Sequence, residues 1–199
     1  MMHASIAVAV LMATHAPVTG PDSAAALPAS ERRGAHASVT WVYQPGSLRE
    51  MVRLADTVVV ARFVGTDSGP TTFTSSEDVF TTRELNRFEV EHPLKGAERS
   101  QVVTVSRISS YGLVGGEPFS VLGPDGPYEL GYDYLLFLKR APGLDVYSIV
   151  NDEARYSIGE DERVRPHGER AAATNGRVSR AVRGRRLPDV LRLVQAAID

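Results

Sequence analysis

Cysteine is absent from the 199 residues. The chain therefore holds no disulfide, no thiolate nucleophile, no Cys-ligated zinc and no iron–sulfur cluster. A domain of this size needs no disulfide, because its core is large enough to be stable alone. Lysine is nearly absent as well: Lys95 and Lys139 stand against twenty Arg, a skew of the kind genome composition produces. Long apolar runs are missing. The clearest, residues 4–13, is about half the 20 or so residues a membrane-spanning helix takes.

Catalytic and ligand-binding motifs are missing too. His36, His92 and His167 are the histidines beyond the first fifteen residues, and no two stand at i,i+2 or i,i+4. HExxH is absent, so a zinc site has no sequence support, and His92 before Pro93 reads as a turn residue. Asp125, Glu129 and Asp133 could offer oxygens to Ca²⁺ but do not follow the D-x-D-x-D-G pattern and read as solvated turn carboxylates. Gly112, Gly115 and Gly116 precede neither a helical pattern nor a Lys-Ser/Thr pair, so they form no phosphate cradle. No serine occupies a G-x-S-x-G elbow. Lys95 reads as a solvated charge, and Tyr128, Tyr132, Tyr134 and Phe137, at strand spacing, read as core and rim with a groove as the alternative. No catalytic, cofactor-binding or metal residue is assigned, no cofactor is expected, and the ligand-binding residues are unknown.

Charge is present but uneven. The net charge is −2. Residues 163–199 carry nine Arg against Glu169, Asp189 and Asp199, whereas residues 30–162 carry thirteen basic and twenty acidic side chains. The basic segment is expected to lie against the acidic remainder, with an anionic partner as the alternative.

The N-terminal apolar run has the length of a signal-peptide h-region, and small residues follow at Ala16 and at Ala24, Ala25 and Ala26. Residues 1–29 are thus expected to be a signal peptide and leader, and 30–46 a flexible lead into the domain. A secreted or extracytoplasmic protein is the expectation. A disordered Ala-rich leader on a cytoplasmic protein is the alternative.

Ser47 and Glu50 form a capping box, and Leu48, Met51, Val52 and Ala55 follow at helical spacing, predicting a helix over 47–56. Residues 57–65 are apolar at nearly every position, as in a strand covered on both faces. A polar loop is expected at 66–78. Residues 79–91 and 102–105 read as two strands of a hairpin whose turn contains Pro93 and Gly96. In the first of these strands Phe80, Thr82, Phe88 and Val90 share one phase and Leu85 the other, which predicts a bulge or bend. Residues 134–138 form a second fully apolar strand, 146–150 another, and 156–158 a short addition. Residues 159–186 lack periodicity and read as an Arg-rich loop, partly disordered. Pro188 opens a helix over 187–198 whose stripe is Leu187, Val190, Leu191, Val194 and Ile198.

The fold expected is mainly β: a small closed or partly open OB-like barrel of five to six strands over 47–158 with two short amphipathic helices as partial cover. Four stretches carry a resemblance. They are Leu48 to Val60, Phe88-Glu89-Val90 with Leu94-Lys95-Gly96, Gly115-Gly116, and Pro127 to Gly131 running into Tyr134 to Leu138. Over 47–158 the chain resembles a group of uncharacterised bacterial secreted proteins, with a fold similar to the OB barrel of the netrin and tissue metalloproteinase-inhibitor modules. The inhibitors act through an N-terminal cysteine on zinc, and this chain has none to offer. The position after Gly131, usually acidic in the bacterial group, is Tyr132 here.

The function expected is that of an exported, monomeric, non-enzymatic binding module of unknown ligand. Loops 66–78 and 107–133 are its candidate contact surface for a protein, peptide or glycan. The alternative is nucleic-acid or other polyanion binding through an OB-like face and segment 163–186, which the acidic balance of the barrel disfavours.

Overall fold

The computed structural model describes residues 44–74, 79–114, 117–121, 127–168 and 176–199; at 70, 72–74, 79–81, 108–114 and 117–121 the backbone alone is described. The expected signal peptide and leader at 1–29 and most of the lead segment lie outside these residues, as do His36 and Asp125.

Among the described residues eight strands form one sheet: β1 Thr57–Thr74, β2 Val79–Lys95, β3 Val102–Val114, β4 Glu117–Val121, β5 Asp133–Arg140, β6 Tyr147–Ile149, β7 Arg155–Ile158 and β8 Val164–Pro166. Three helices accompany it among those residues: α1 Leu48–Leu54, α2 Arg177–Val182 and α3 Leu187–Ile198. The sheet closes on itself. Its neighbours run β1-β2-β3-β6-β5, and β5 pairs back on β1 from Thr57↔Leu138 to Arg62↔Asp133. The β3–β6 contact is the parallel one, at Val105↔Tyr147. This is a closed five-stranded barrel of OB-like order, as the sequence leads one to expect. β7 and β8 continue the sheet outside the barrel from the other edge of β5, and β4 folds back on the far end of β3.

The unbroken apolarity of β1 and β5 has a simple cause. Register sets Val59, Ala61, Tyr134 and Leu136 on one face and Val58, Val60, Leu135 and Phe137 on the other, and all eight are buried. The first face looks into the barrel, where Tyr134 meets the ring of Phe88. Around the barrel, α1 packs on β5 and α3 packs on both α1 and β2. Met51, Val52, Val190 and Val194 are buried in the same core as the strands. A strand in such a place cannot alternate, because neither face is wet.

Helix α1 begins as expected and ends sooner. Ser47 Oγ accepts the Glu50 N–H at 3.2 Å, while the Glu50 carboxylate accepts the Gly46 N–H at 2.8 Å. At the other end, Lys95 Nζ donates to the carbonyls of Val52 at 2.8 Å and Ala55 at 2.6 Å. These are the orphan acceptors of a helix C-terminus. Lys95 is therefore a cap held by a strand brought alongside, and the expectation of a solvated charge is corrected.

Three further expectations change. Residues 66–74 are strand rather than loop, because β1 continues its pairing with β2 out to Thr74↔Val79; 75–78 lie outside the described residues. Within 107–133, β3 runs on to Val114 and pairs with β4, leaving 127–132 as the described loop. In 159–186, where a loop is expected, β8 and α2 stand, with Val164, Val178, Ser179 and Val182 buried. Apolar residues too few to show a period still suffice once a core is ready to receive them. The expected bend is real but shifted. β2 pairs with β3 without a break, and the irregularities fall in β1–β2 between Phe63 and Gly65, between Ser68 and Thr71, and beside Glu91 and Leu94. Strand β2 also passes through Pro93 to Lys95, so the turn begins at Gly96 and Pro93 lies outside it.

Candidate functional site at the barrel mouth

Beyond Arg62, β1 leaves β5 behind. Phe63 still exchanges backbone hydrogen bonds with the loop, its N–H donating to the Tyr132 carbonyl and its carbonyl accepting from Gly131. Past that point the outer edge of β1 has no strand beside it among the described residues. Strands β1, β2, β3 and β4 thus run on together as a ribbon leading away from one end of the barrel. The residues that line the barrel interior continue along one face of this ribbon in an order set by register: Phe63, Phe88 and Val103; then Thr66, Asn86 and Val105; then Ser68, Glu84 and Arg107.

The character of the face changes along that order. Phe88 is fully buried against Phe63 at 5.3 Å and Tyr128 at 4.8 Å between ring centroids. One step out, Asn86 is 3% exposed; its Oδ1 accepts from Thr66 Oγ1 at 2.8 Å, and its Nδ2 is buried with no partner among the described residues. A further step out, Arg107 and Glu84 form a half-buried ion pair at 2.6 Å. A buried donor left unpaired costs about 1–3 kcal/mol.

The loop and β7 close the mouth. Tyr128 stands between Phe63, Phe88 and Tyr134, with ring centroids 5.6, 4.8 and 5.1 Å away. His167 stacks on Tyr128 at 5.2 Å, its plane 11° away, and meets the edge of Tyr134 at 5.0 Å. Arg155 of β7 is 1% exposed, with its guanidinium carbon 5.7 Å from the Tyr128 ring centre and Nη1 3.4 Å from the Tyr128 hydroxyl. A buried guanidinium is held by partners and by the aromatic face beneath it. Burial pushes the Tyr134 phenol above its ordinary pKa, an effect that the hydrogen bond from the Glu129 N–H, at 2.8 Å, partly offsets.

The residues singled out in the sequence scatter over the fold. Tyr128, Tyr134 and His167 meet at the mouth. Phe137 faces away from the interior, against Tyr156. Tyr132 is exposed beside Leu130, which is 71% exposed. His92 is exposed on β2 opposite Val60. Asp133 is taken by Arg62 at 3.0 Å rather than facing Glu129, which is exposed. Gly112 lies within β3, and Gly115 and Gly116 lie outside the described residues. Among the described residues no three His, Asp or Glu side chains gather as a metal would require.

Sequence reading missed Arg155, Asn86 and the Glu84–Arg107 pair. The signal for the last was available: in an antiparallel pair with Phe88 opposite Val103, Glu84 must stand opposite Arg107. Arg155 gave no such signal, because its burial follows from β7 docking on β5.

At the mouth the cations are occupied, Arg107 by Glu84 and Arg155 by its burial over Tyr128, and the partly exposed rings are those of Tyr128 and His167. On the outward side of the ribbon Arg62 is bound to Glu91 and Asp133, and Arg87 to Asp67. Comparisons with family models, with curated proteins and with solved structures find no match to this chain.

Proposed function

We propose that the protein is an exported, non-enzymatic binding module whose contact surface is the barrel mouth and the ribbon that leads away from it. The ligand class that fits is an extended peptide or protein segment of the cell envelope. The observation that carries this reading is the outer edge of β1 beyond Phe63, unpaired among the described residues, which begins beside the exposed side chains of Leu130 and Tyr132. An unpaired strand edge offers backbone hydrogen bonds to an extended chain, and apolar side chains beside it supply the contacts that select one. Pro70, which has no N–H to donate, limits how far such pairing runs. The barrel interior, filled by Phe88, Tyr134, Leu136 and Leu138, supports a surface site over an internal one.

Polyanion binding across the outward face of the ribbon has less support. Single-stranded nucleic acid needs free cations and aromatic platforms, and of the guanidiniums there Arg62 and Arg87 are occupied by carboxylates.

A photoreactive residue placed at Leu130 or at Asp67, in cells making the full chain, tests the proposal. The expected result is a discrete cross-linked species in the extracytoplasmic fraction, absent when the residue is placed at Arg192. No adduct at either ribbon position, or the same adducts from Arg192, refutes it.

A further inference from the structure

We propose that the surface formed by α2 and the residues that follow it docks the protein on an anionic lipid bilayer. Between 177 and 186 the chain places Arg177, Arg180, Arg183, Arg185 and Arg186 with no acid among them, and all five are exposed. The fold explains their arrangement. Val178, Ser179 and Val182 are buried, which sets one side of α2 against the core and leaves Arg177, Arg180 and Arg183 along the other at successive helical turns. Residues 184–186 then run antiparallel to β8: Gly184 N–H donates to the Val164 carbonyl, Val164 N–H to Arg185, and Arg163 stands opposite Arg186.

Neutralisation separates these five from Arg163, Arg165 and Arg192, the other described basic residues of the segment. Arg163 and Arg165 are held by Asp161, and Arg192 by Asp189. None of the five has a carboxylate partner among the described residues. The pairs that neutralise the others are local in sequence, with Asp161 and Asp189, rather than contacts with acids of the barrel. Guanidiniums left unpaired next to available acids form a surface presented outward.

The kind of partner follows from shape and charge asymmetry. The surface is the outer side of a short helix and a strand-like run, and residues 177–186 include no aromatic ring. Single-stranded nucleic acid is bound by grooves with stacking platforms, whereas a bilayer presents a flat field of phosphates that requires neither. The acidic barrel gives the molecule an unequal charge distribution, which orients it on a charged plane with the Arg surface down. A neighbouring Arg at such a membrane contributes about a fivefold gain in partitioning.

Sedimentation of the full chain with vesicles of phosphatidylcholine containing one third phosphatidylglycerol tests this. Binding should be strong at low salt, fall steeply with added salt, and exceed binding to pure phosphatidylcholine. The variant R177Q/R180Q/R183Q should lose roughly a hundredfold in partitioning to the anionic vesicles with unchanged binding to neutral ones. The variant R53Q/R99Q/R140Q, equal in charge but changed at exposed positions elsewhere, should lose far less. Unfolding temperatures of both variants are measured alongside, and neither is expected to move, since every changed residue is exposed. Equal losses in the two variants, wild-type binding by the first, or no preference for anionic vesicles would each overturn the inference. So would tighter binding to an oligothymidylate of matched charge, which would turn the surface over to nucleic acid.

Discussion

Replacing Lys95 with Met keeps the aliphatic stem and deletes the ammonium, so it isolates the cap on α1. Two charge-assisted hydrogen bonds end on the Val52 and Ala55 carbonyls. Bonds to a charged group contribute about 1.5–3 kcal/mol each in sheltered settings, and a cation at a helix C-terminus about 0.3–1 kcal/mol. Lys95 is half-buried, and the freed carbonyls can recover some water, so the two bonds together are discounted to about 2–3 kcal/mol. In a chain of this size each kcal/mol moves the unfolding midpoint by about 2–4 °C. Lys95→Met should therefore lower Tm by about 5–10 °C in thermal melts followed by circular dichroism. Urea melts should show an unchanged slope, because the surface exposed on unfolding is the same. A shift under 1 °C would refute the reasoning and restore Lys95 to the solvated turn charge that its sequence context suggests.

Three further outcomes are expected. Gly96→Ala should destabilise by about 2 kcal/mol or more, since Gly96 sits at φ 66° and a Cβ there would lie 2.2 Å from the Asp56 carbonyl oxygen; a urea midpoint equal to wild type would contradict this. Burial alone would raise the Asp56 carboxyl, but the Lys139 ammonium and the Arg140 N–H outweigh it and hold the pKa below the ordinary value. Its stabilising contribution is thus present above about pH 4 and is lost as pH falls through the lower folded value. Asp56→Asn should flatten the acid limb of a Tm-against-pH plot, and an unchanged limb would count against it. Burial holds the Tyr156 phenol well above its ordinary pKa, so the folded state loses stability as pH rises past about 10, where the unfolded phenol ionises. Tyr156→Phe should extend the alkaline limit at a cost of less than about 1 kcal/mol at pH 7, because among the described residues the buried hydroxyl makes no hydrogen bond of good geometry, its interaction with Ser179 falling short of one. A large loss at pH 7 would show a partner the geometry does not.

The two unbroken apolar runs were legible as strands covered on both faces, and the capping box named the start of α1 to the residue. Helix α3 was equally plain, since Val190 and Val194 are buried and Leu187, Leu191 and Ile198 partly so at the expected spacing. What stayed hidden has a common physical character. Residues 66–74 are polar, and polar sequence reads as loop. They are strand because β2 offers a ladder of backbone partners, and backbone hydrogen bonding is indifferent to side-chain polarity. Val164, Val178 and Val182 are too sparse to show a period, and they order their segments only by entering a core built elsewhere.

The candidate site divides in the same way. Tyr128, Tyr134 and His167 were noticed singly, yet 39 positions separate the first from the last and nothing local brings them together. The stacking of His167 and the burial of Arg155 follow from β7 docking on the half of β5 that β6 leaves free.

Local chemistry by itself determined which segments are apolar on both sides, where α1 starts, and that no cysteine chemistry is possible. The tertiary structure decided the closure of the sheet, the capping of α1 by Lys95 and the end of β1–β5 pairing at Arg62. Those three depend on pairings between residues distant in sequence, whose free energy exists only once the whole barrel has formed.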